Sequence, residues 1–199
     1  MATAQDVLDY WFGDEPDDGR LANQRASLWW SKSDATDADI RQRFEHLVNN
    51  AGAGDLDQWA DTPRGRLALI LLMDQFTRNI YRDTPDAFSL DGRALEHARV
   101  GLGQGQDRSL RPIERVFLYM PLEHAEDLVM QERCLVLFRS LRDEVPPAHQ
   151  GPFGVFLDFA IRHRDVIARF GRFPHRNAIL GRESTPEELA FLEQPGSSF

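Results

Sequence analysis

A short segment near the C-terminus concentrates side chains that bind anions and carry protons. Residues 172–177, with the sequence RFPHRN, contain two guanidiniums, one imidazole and one amide. Guanidiniums bind carboxylates and phosphates through paired hydrogen bonds, and imidazole changes its charge near neutral pH. Gly171 tolerates positive φ angles and Pro174 fixes its own φ, so the segment suits a tight turn. This composition predicts either an anion-binding site or an internal ionic network.

Three predicted helices each direct a titratable side chain toward the interior. At about 100° per residue, Asp74 lies within about 40° of the apolar stripe of its helix, and His124 and His163 do the same on theirs. Buried ionisable groups need a partner because their desolvation is costly. A single histidine on an apolar face is usually a core residue, but three such positions favour a shared polar pocket.

The residues around Asp74 allow two interpretations. Arg78 lies one turn later on the same helix face, where it can pair with the Asp74 carboxylate. The pair is either an internal tie between helices or an acid–base and anion-binding pair. The candidate catalytic residues are Asp74, His124, His163 and His175. The candidate ligand-binding residues are Arg78, Arg82, Glu123, Arg172, Arg176 and Asn177.

The sequence contains none of the common metal or cofactor motifs. Zinc-type His-Glu-x-x-His and di-iron Glu-x-x-His spacings are missing, and the chain has one cysteine, Cys134. Its adjacent Glu-His pairs lie about 100° apart on a helix, which is poor geometry for one ion. Phosphate-loop and Gly-x-Ser-x-Gly motifs are also missing. We therefore expect no metal site and no cofactor.

Charge and composition limit the partners. The 199 residues include 23 basic and 32 acidic side chains, for a net charge of −9. This charge repels nucleic acid and anionic lipid, so we expect neither as a partner. The start lacks the basic and apolar regions of a secretory signal, and the longest apolar run, Leu67 to Met73, is too short to span a membrane. The sequence therefore predicts a cytoplasmic protein.

Helix caps and apolar residues at helical spacing recur along the chain, while alternating strand patterns are missing. The sequence predicts an all-α fold, with a single helical domain over residues 1–193 and a disordered tail over 194–199. The predicted helices begin after Thr3, near Leu21, at Thr36 or Asp37, at Thr62-Pro63, near Leu90, at Arg111-Pro112, near Phe153 and at Thr185-Pro186. Pro121 should break or kink its helix.

The most apolar predicted helix runs from Pro63 to about Tyr81 and is expected at the centre of the fold. Short turns between helices favour antiparallel neighbours in a bundle or stack. The 34-residue tetratricopeptide consensus does not recur at a fixed period.

Several segments resemble one bacterial family. They are DQFTRNIYR at 74–82, PLEHAE at 121–126, RFGRFPHRN at 169–177, LGR at 180–182 and STPEE at 184–188. With VLDYWFG at 7–13 and the Trp29-Trp30 region, they resemble the uncharacterised family known as domain of unknown function 924 over nearly the whole chain. The resemblance implies a helical, tetratricopeptide-like fold and no established activity. Thr77 replaces an expected proline, which should leave its helix less kinked.

Three functional interpretations stay open. The first is a protein, an enzyme or a binding protein, that holds a small anionic molecule in a pocket lined by arginine, histidine and aspartate. The second is a tetratricopeptide-like scaffold that binds a peptide or protein along a concave helical surface. The third is a purely structural cluster. A closed cavity lined by those arginines and histidines favours the first, an open groove lined by exposed aromatics the second, and complete mutual pairing with no cavity the third.

Overall fold

The structure is a computed structural model that describes residues 2–197, and every regular element within that range is helical. This confirms the all-α prediction. The α-helices are α1 (Ala4–Phe12), α2 (Asp18–Trp30), α3 (Asp34–Ala53), α4 (Pro63–Ile70), α5 (Thr77–Ile80), α6 (Asp91–Gly103), α7 (Pro112–Glu123), α8 (Leu128–Glu144), α9 (Gln150–Phe170) and α10 (Pro186–Leu192). Short 3₁₀ helices lie at Asp57–Asp61, Pro85–Phe88, Gln106–Ser109, Pro147–His149 and Pro174–Arg176.

Side-chain caps start several helices where the sequence predicts them. Thr3 forms a capping box with Asp6 at α1, and Thr62 accepts a hydrogen bond from the Gly65 N–H at α4. Such caps satisfy N–H groups that have no partner inside the helix. The predicted start of α3 was wrong, because Ser33 caps this helix through the Thr36 N–H.

The central helix is continuous from Pro63 to Ile80, as predicted, but it is not α-helical throughout. Its α4 and α5 segments are joined by a π-helical stretch, Leu71–Phe76, which contains Asp74. Irregular stretches of this kind are frequent at functional sites. Thr77 donates its hydroxyl to the Met73 carbonyl at 2.8 Å, so the residue that replaces the expected proline satisfies a backbone acceptor in this turn.

Pro121 does not end its helix, so of the two predicted effects, a break or a kink, the break at Pro121 was wrong. Helix α7 continues through Pro121 to Glu123, and the chain turns only at residues 124–127. Asp127 then caps α8 by accepting the Val129 and Met130 N–H groups at 2.7 and 3.2 Å. Pro121 has no N–H to donate to the Phe117 carbonyl, but only Leu122 and Glu123 follow it in the helix. The turn leaves Glu123 and His124 at the end of α7.

One large hydrophobic core surrounds the central helix, which packs against α1, α3, α6 and α7. Trp11, Trp29 and Phe44 are buried in this core, as their size favours. Helices α8 and α9 are antiparallel, as shown by the ion pair between Glu132, near the start of α8, and Arg164, near the end of α9. The tetratricopeptide-like arrangement stays a prediction.

A second, smaller hydrophobic cluster lies at the end of α9. It contains Val166, Ile167 and Phe173, with Phe170 and Phe191 packed against them. The predicted tail overlaps the described residues only at 194–197, where the Ser197 hydroxyl donates to the Leu192 carbonyl at 3.0 Å. Residues 198–199 lie outside the described part of the chain. Between residues 2 and 197, no helix is long and apolar enough to cross a membrane.

Candidate functional site

Asp74, His124 and His163 converge from three separate elements. Asp74 comes from the π-helical stretch, His124 follows α7 and His163 lies on α9. The Asp74 Oδ1 atom lies 2.7 Å from His124 Nδ1, and the rings of His124 and His163 are 6.1 Å apart at their centroids. Asp74 is fully buried. The three side chains therefore meet in one cluster, although His124 follows the end of α7 and does not lie on a helix face, so the argument from helical periodicity does not apply to it.

Arg78 and Asp91 extend this cluster toward the surface. Arg78 Nη1 lies 3.3 Å from Asp74 Oδ1, and the Arg78 guanidinium donates to both Asp91 oxygens at 2.9 and 3.0 Å. Arg78 is therefore held by two carboxylates. Sequence reasoning missed Asp91, because an acidic residue in the first turn of a helix is readily explained by the helix dipole.

Arg176 completes the cluster from the 3₁₀ helix Pro174–Arg176. Its guanidinium carbon lies 4.7 Å from the ring centroid of Phe88 and 4.6 Å from that of Phe173. Arg176 Nη1 donates to one Asp91 oxygen at 3.3 Å, while Nε is buried and has no hydrogen-bond partner among the described residues. Burial, followed by repulsion from Arg78, lowers the pKa of Arg176 to about 10. Arg176 thus has unused donor capacity.

Glu123 and His163 form the inner part of the cluster. Glu123 Oε1 lies 3.0 Å from His163 Nδ1, which is also 2.9 Å from the Phe159 carbonyl. A carbonyl can only accept, so this contact places a proton on Nδ1. Burial, followed by repulsion from Asp74, raises the pKa of Glu123 to about 8. Burial, followed by the charge of His124, lowers the pKa of His163 to about 3.

The Asp74–His124 pair has the geometry of an oriented proton acceptor. Burial opposes the charge of Asp74, but Arg78 and His124 outweigh it and lower the pKa of this carboxyl. Burial lowers the pKa of His124 although Asp74 acts in the opposite direction. A neutral His124 donates Nδ1–H to Asp74 and leaves the Nε2 lone pair to accept a proton.

His175 lies at the edge of the same cluster. Its ring centroid is 5.6 Å from that of Phe173. Burial, followed by repulsion from Arg176, lowers the pKa of His175 to about 4. His175 is therefore neutral near pH 7, like His124 and His163.

Arg82, Arg172 and Asn177 lie outside this cluster. Arg82 donates to both oxygens of Asp37 at 2.6 and 2.8 Å, beside an open cleft of about 420 Å³. Arg172 donates to both oxygens of Glu188 at 2.7 and 2.8 Å. These three predicted ligand-binding residues therefore lie apart from the other three, Arg78, Glu123 and Arg176.

Residues 172–192, here called the clasp, contain their own ionic network. Glu188 accepts hydrogen bonds from Arg172, from Asn177 Nδ2 at 3.3 Å and from the Thr185 N–H at 2.8 Å. Outside the clasp, Glu126 accepts from the Arg182 guanidinium at 2.7 and 2.9 Å. Sequence reasoning did not predict the ion pair of Glu126, because its partner Arg182 is distant in the chain. It also did not predict that Glu188 pairs with Arg172, because a place in the helix cap already accounts for this glutamate.

Solvent reaches the cluster along one edge. The side chains of Arg78 and Asp91 are each 21% exposed and that of His124 is 11% exposed, while Asp74 and Glu123 are enclosed. Within residues 2–197, no group of three or more histidine, cysteine, aspartate or glutamate side chains is arranged to hold a metal ion. The chemistry available to the described side chains is anion binding and proton transfer.

Comparison with known proteins identifies relatives of this chain, and these relatives are described as proteins of unknown function. No curated protein matches the sequence. A solved structure of a protein of unknown function from Agrobacterium tumefaciens is 36% identical, with 96% of each chain covered and a TM-score of 0.81. The model of the family described as "Bacterial protein of unknown function (DUF924)" matches residues 7–196. The chain therefore belongs to this bacterial family.

Proposed function

We propose that the protein binds a small anionic molecule, bearing a carboxylate or phosphate group, beside Arg176 and His124. The observation that carries this proposal is the incomplete pairing of Arg176. The Arg176 side chain is 8% exposed, yet its Nη1 atom lies 3.3 Å from Asp91 Oδ2, an oxygen that also accepts a hydrogen bond from Arg78. A buried donor without an acceptor costs about 1–3 kcal/mol. An anion that accepts hydrogen bonds from Arg176 removes this cost.

The surroundings of Arg176 favour recognition of one anionic group. The rings of Phe88 and Phe173 both contact the Arg176 guanidinium through cation–π interactions, which leave its N–H groups available for hydrogen bonds. Arg78 contributes positive potential, but its own donors are already directed to Asp74 and Asp91. Arg176 is therefore the guanidinium with donors to spare for a ligand.

His124 is the proton acceptor in this proposal, and Asp74 positions it. With Glu123 and the histidines uncharged, two carboxylates balance two guanidiniums in the cluster. A bound anion adds negative charge next to His124, which favours its protonation. The site is therefore suited to binding that is coupled to proton uptake, and to acid–base catalysis on the bound molecule.

The peptide-binding alternative has less support. A concave recognition surface needs exposed aromatic side chains, whereas Trp11, Trp29 and Phe44 are buried in the core. Trp30 is 47% exposed, but its ring packs on Phe117 at 5.9 Å between centroids. These contacts favour a core role for the aromatic residues.

The test is ligand binding to matched arginine variants. Isothermal titration with inorganic phosphate, acetate and a panel of phosphorylated and carboxylated metabolites would be run on wild type, Arg176→Gln and Arg82→Gln. We expect Arg176→Gln to lower the affinity for the best compound by about tenfold or more, because a charged hydrogen bond is lost. Arg82→Gln is the control, since Arg82 pairs with Asp37 away from the cluster.

Two outcomes would contradict the proposal. One is equal affinity of wild type and Arg176→Gln for the same compound. The other is binding of no anionic compound by the wild type. Chemical denaturation of each variant without ligand would establish that both are folded before binding is compared.

A further inference from the structure

The clasp is tied together mainly by its own side chains. Arg172 and Asn177 both donate to Glu188, and Arg182 Nε donates to Asn177 Oδ1 at 2.9 Å. Asn177 Nδ2 also donates to the Ser184 hydroxyl at 3.0 Å. These contacts link the start, the middle and the terminal helix of the clasp. The segment can therefore move as one unit.

Contacts between the clasp and the rest of the protein are mostly polar. Glu126 accepts from Arg182 and, at 2.7 Å, from the Phe173 N–H. Arg176 reaches Asp91, and the Phe173 ring lies 5.5 Å from that of His163. The apolar contacts belong to the small cluster at the end of α9, which is distinct from the main core. Polar contacts near solvent are individually weak.

Gly171 joins the clasp to α9. It adopts φ +69°, and a Cβ at this position would meet no atom within 4 Å. Glycine enters this left-handed region without the steric cost that other residues have, and it can leave it equally easily. Gly171 is therefore a suitable hinge between α9 and the clasp.

The clasp and the body each supply part of the proposed site. The clasp contributes Arg176 and His175, whereas the helices of the body contribute Asp74, His124 and Asp91. Arg176 Nε is enclosed in the closed arrangement. A ligand that uses this guanidinium fully must reach a site whose outer wall is the clasp itself.

We propose that the clasp rotates about Gly171 to admit the ligand and that the Glu126 contacts hold it closed. Opening separates Arg176 and His175 from His124 and Asp91, and closing reassembles them around the bound molecule. This role in ligand entry rests on the proposed function. The movement itself is a property of the ligand-free protein and can be measured without a ligand.

The test is amide hydrogen exchange of the ligand-free full chain in wild type, Glu126→Gln and Glu96→Gln. Glu126→Gln keeps the shape of the side chain but removes its charge opposite Arg182. We expect exchange within residues 172–182 to become about tenfold faster, with residues 67–76 of the central helix unchanged. Glu96→Gln is the control, since it removes an exposed pair with Arg99 at 3.1 Å within α6 and should change neither region.

Unchanged exchange in Glu126→Gln, or equal acceleration in the clasp and the central helix, would overturn the proposal. Stopped-flow binding of inorganic phosphate tests the entry role, and we expect Glu126→Gln to raise the association rate constant. Faster exchange with an unchanged association rate would show that the clasp moves without controlling entry, which would overturn the entry role. Absence of binding by inorganic phosphate, acetate and every compound of the metabolite panel would overturn the proposed function and the entry role together, while exchange would still decide whether the clasp opens.

Discussion

The buried cluster and the Glu188 network of the clasp are both rich in arginine and carboxylate, yet burial affects their ionisable groups differently. In the Glu188 network, the hydrogen bonds from Arg172 outweigh burial and lower the pKa of Glu188 to about 2. In the buried cluster, burial raises the pKa of Glu123 to about 8. Burial also dominates at Arg176, whose pKa falls to about 10. The Glu188 network favours charged forms, whereas the cluster combines the charged Asp74–Arg78 pair with groups whose uncharged forms are favoured by burial.

This difference separates a structural network from a candidate site. Glu188 accepts hydrogen bonds from Arg172, Asn177 and the Thr185 N–H, so partners within the clasp satisfy this carboxylate. In the buried cluster, Arg176 is desolvated and incompletely paired, and such perturbed groups are common where proteins bind ligands or move protons. Counting ion pairs would not distinguish the two regions, but the balance between pairing and desolvation does.

The largest expected effect is that of removing Asp74 from the buried cluster. Asp74→Ala leaves Arg78 and His124 buried without their common acceptor. We expect the free energy of unfolding to fall by about 3–5 kcal/mol. Urea denaturation would measure this change. Asp143→Ala on the surface of α8 is the control, with an expected change within about 0.5 kcal/mol.

A smaller effect is expected in the clasp. Glu188→Ala removes the acceptor shared by Arg172 and Asn177, which should cost about 1–3 kcal/mol because Arg172 can turn to solvent. Urea denaturation measures this loss, with Glu193→Ala on the exposed end of the chain as the control. A loss equal to that of Asp74→Ala would remove the distinction between the two regions.

The smallest effect is a pH dependence that sharpens the comparison. The pKa of Glu123 rises from 4.5 to about 8 on folding, so its stabilising contribution is complete below about pH 4.5 and is lost as the pH rises through 8. Between pH 7 and 8, the free energy of unfolding should fall by at most about 1.4 kcal/mol per pH unit in wild type, and by less in Glu123→Gln.

Histidine titration opposes that of Glu123 in the lower part of this range. The pKa of His163 falls from 6.5 to about 3 on folding, so its contribution is lost as the pH decreases through 6.5, and unfolded histidines still hold some protons at pH 7. The difference in slope between wild type and Glu123→Gln at pH 7, 7.5 and 8 therefore isolates Glu123, because both proteins contain the same histidines. Glu132→Gln on the exposed face of α8 should keep the wild-type slope. Identical slopes in wild type and Glu123→Gln would show that Glu123 is ionised in the folded protein.

Local signals were sufficient to predict much of the fold. Thr62-Pro63 and Thr185-Pro186 mark helix starts. The threonine hydroxyl accepts a hydrogen bond from an N–H group of the first turn, and the proline that follows has no N–H that would be left unpaired. The π-helical stretch at Leu71–Phe76 and the uninterrupted α7 at Pro121 were not predicted. Both depend on packing around the helix, which local propensity does not describe.

The sequence alone determined which helices form and which of their faces turn inward, because caps and apolar periodicity act between residues a few positions apart. It thereby directed Asp74 and His163 into the interior. Only the tertiary structure decided their partners: Asp91 joins Arg78 to Arg176, and Glu126 holds the clasp. Pairing between distant segments depends on how helices pack in three dimensions, and no local pattern in one sequence encodes that distance.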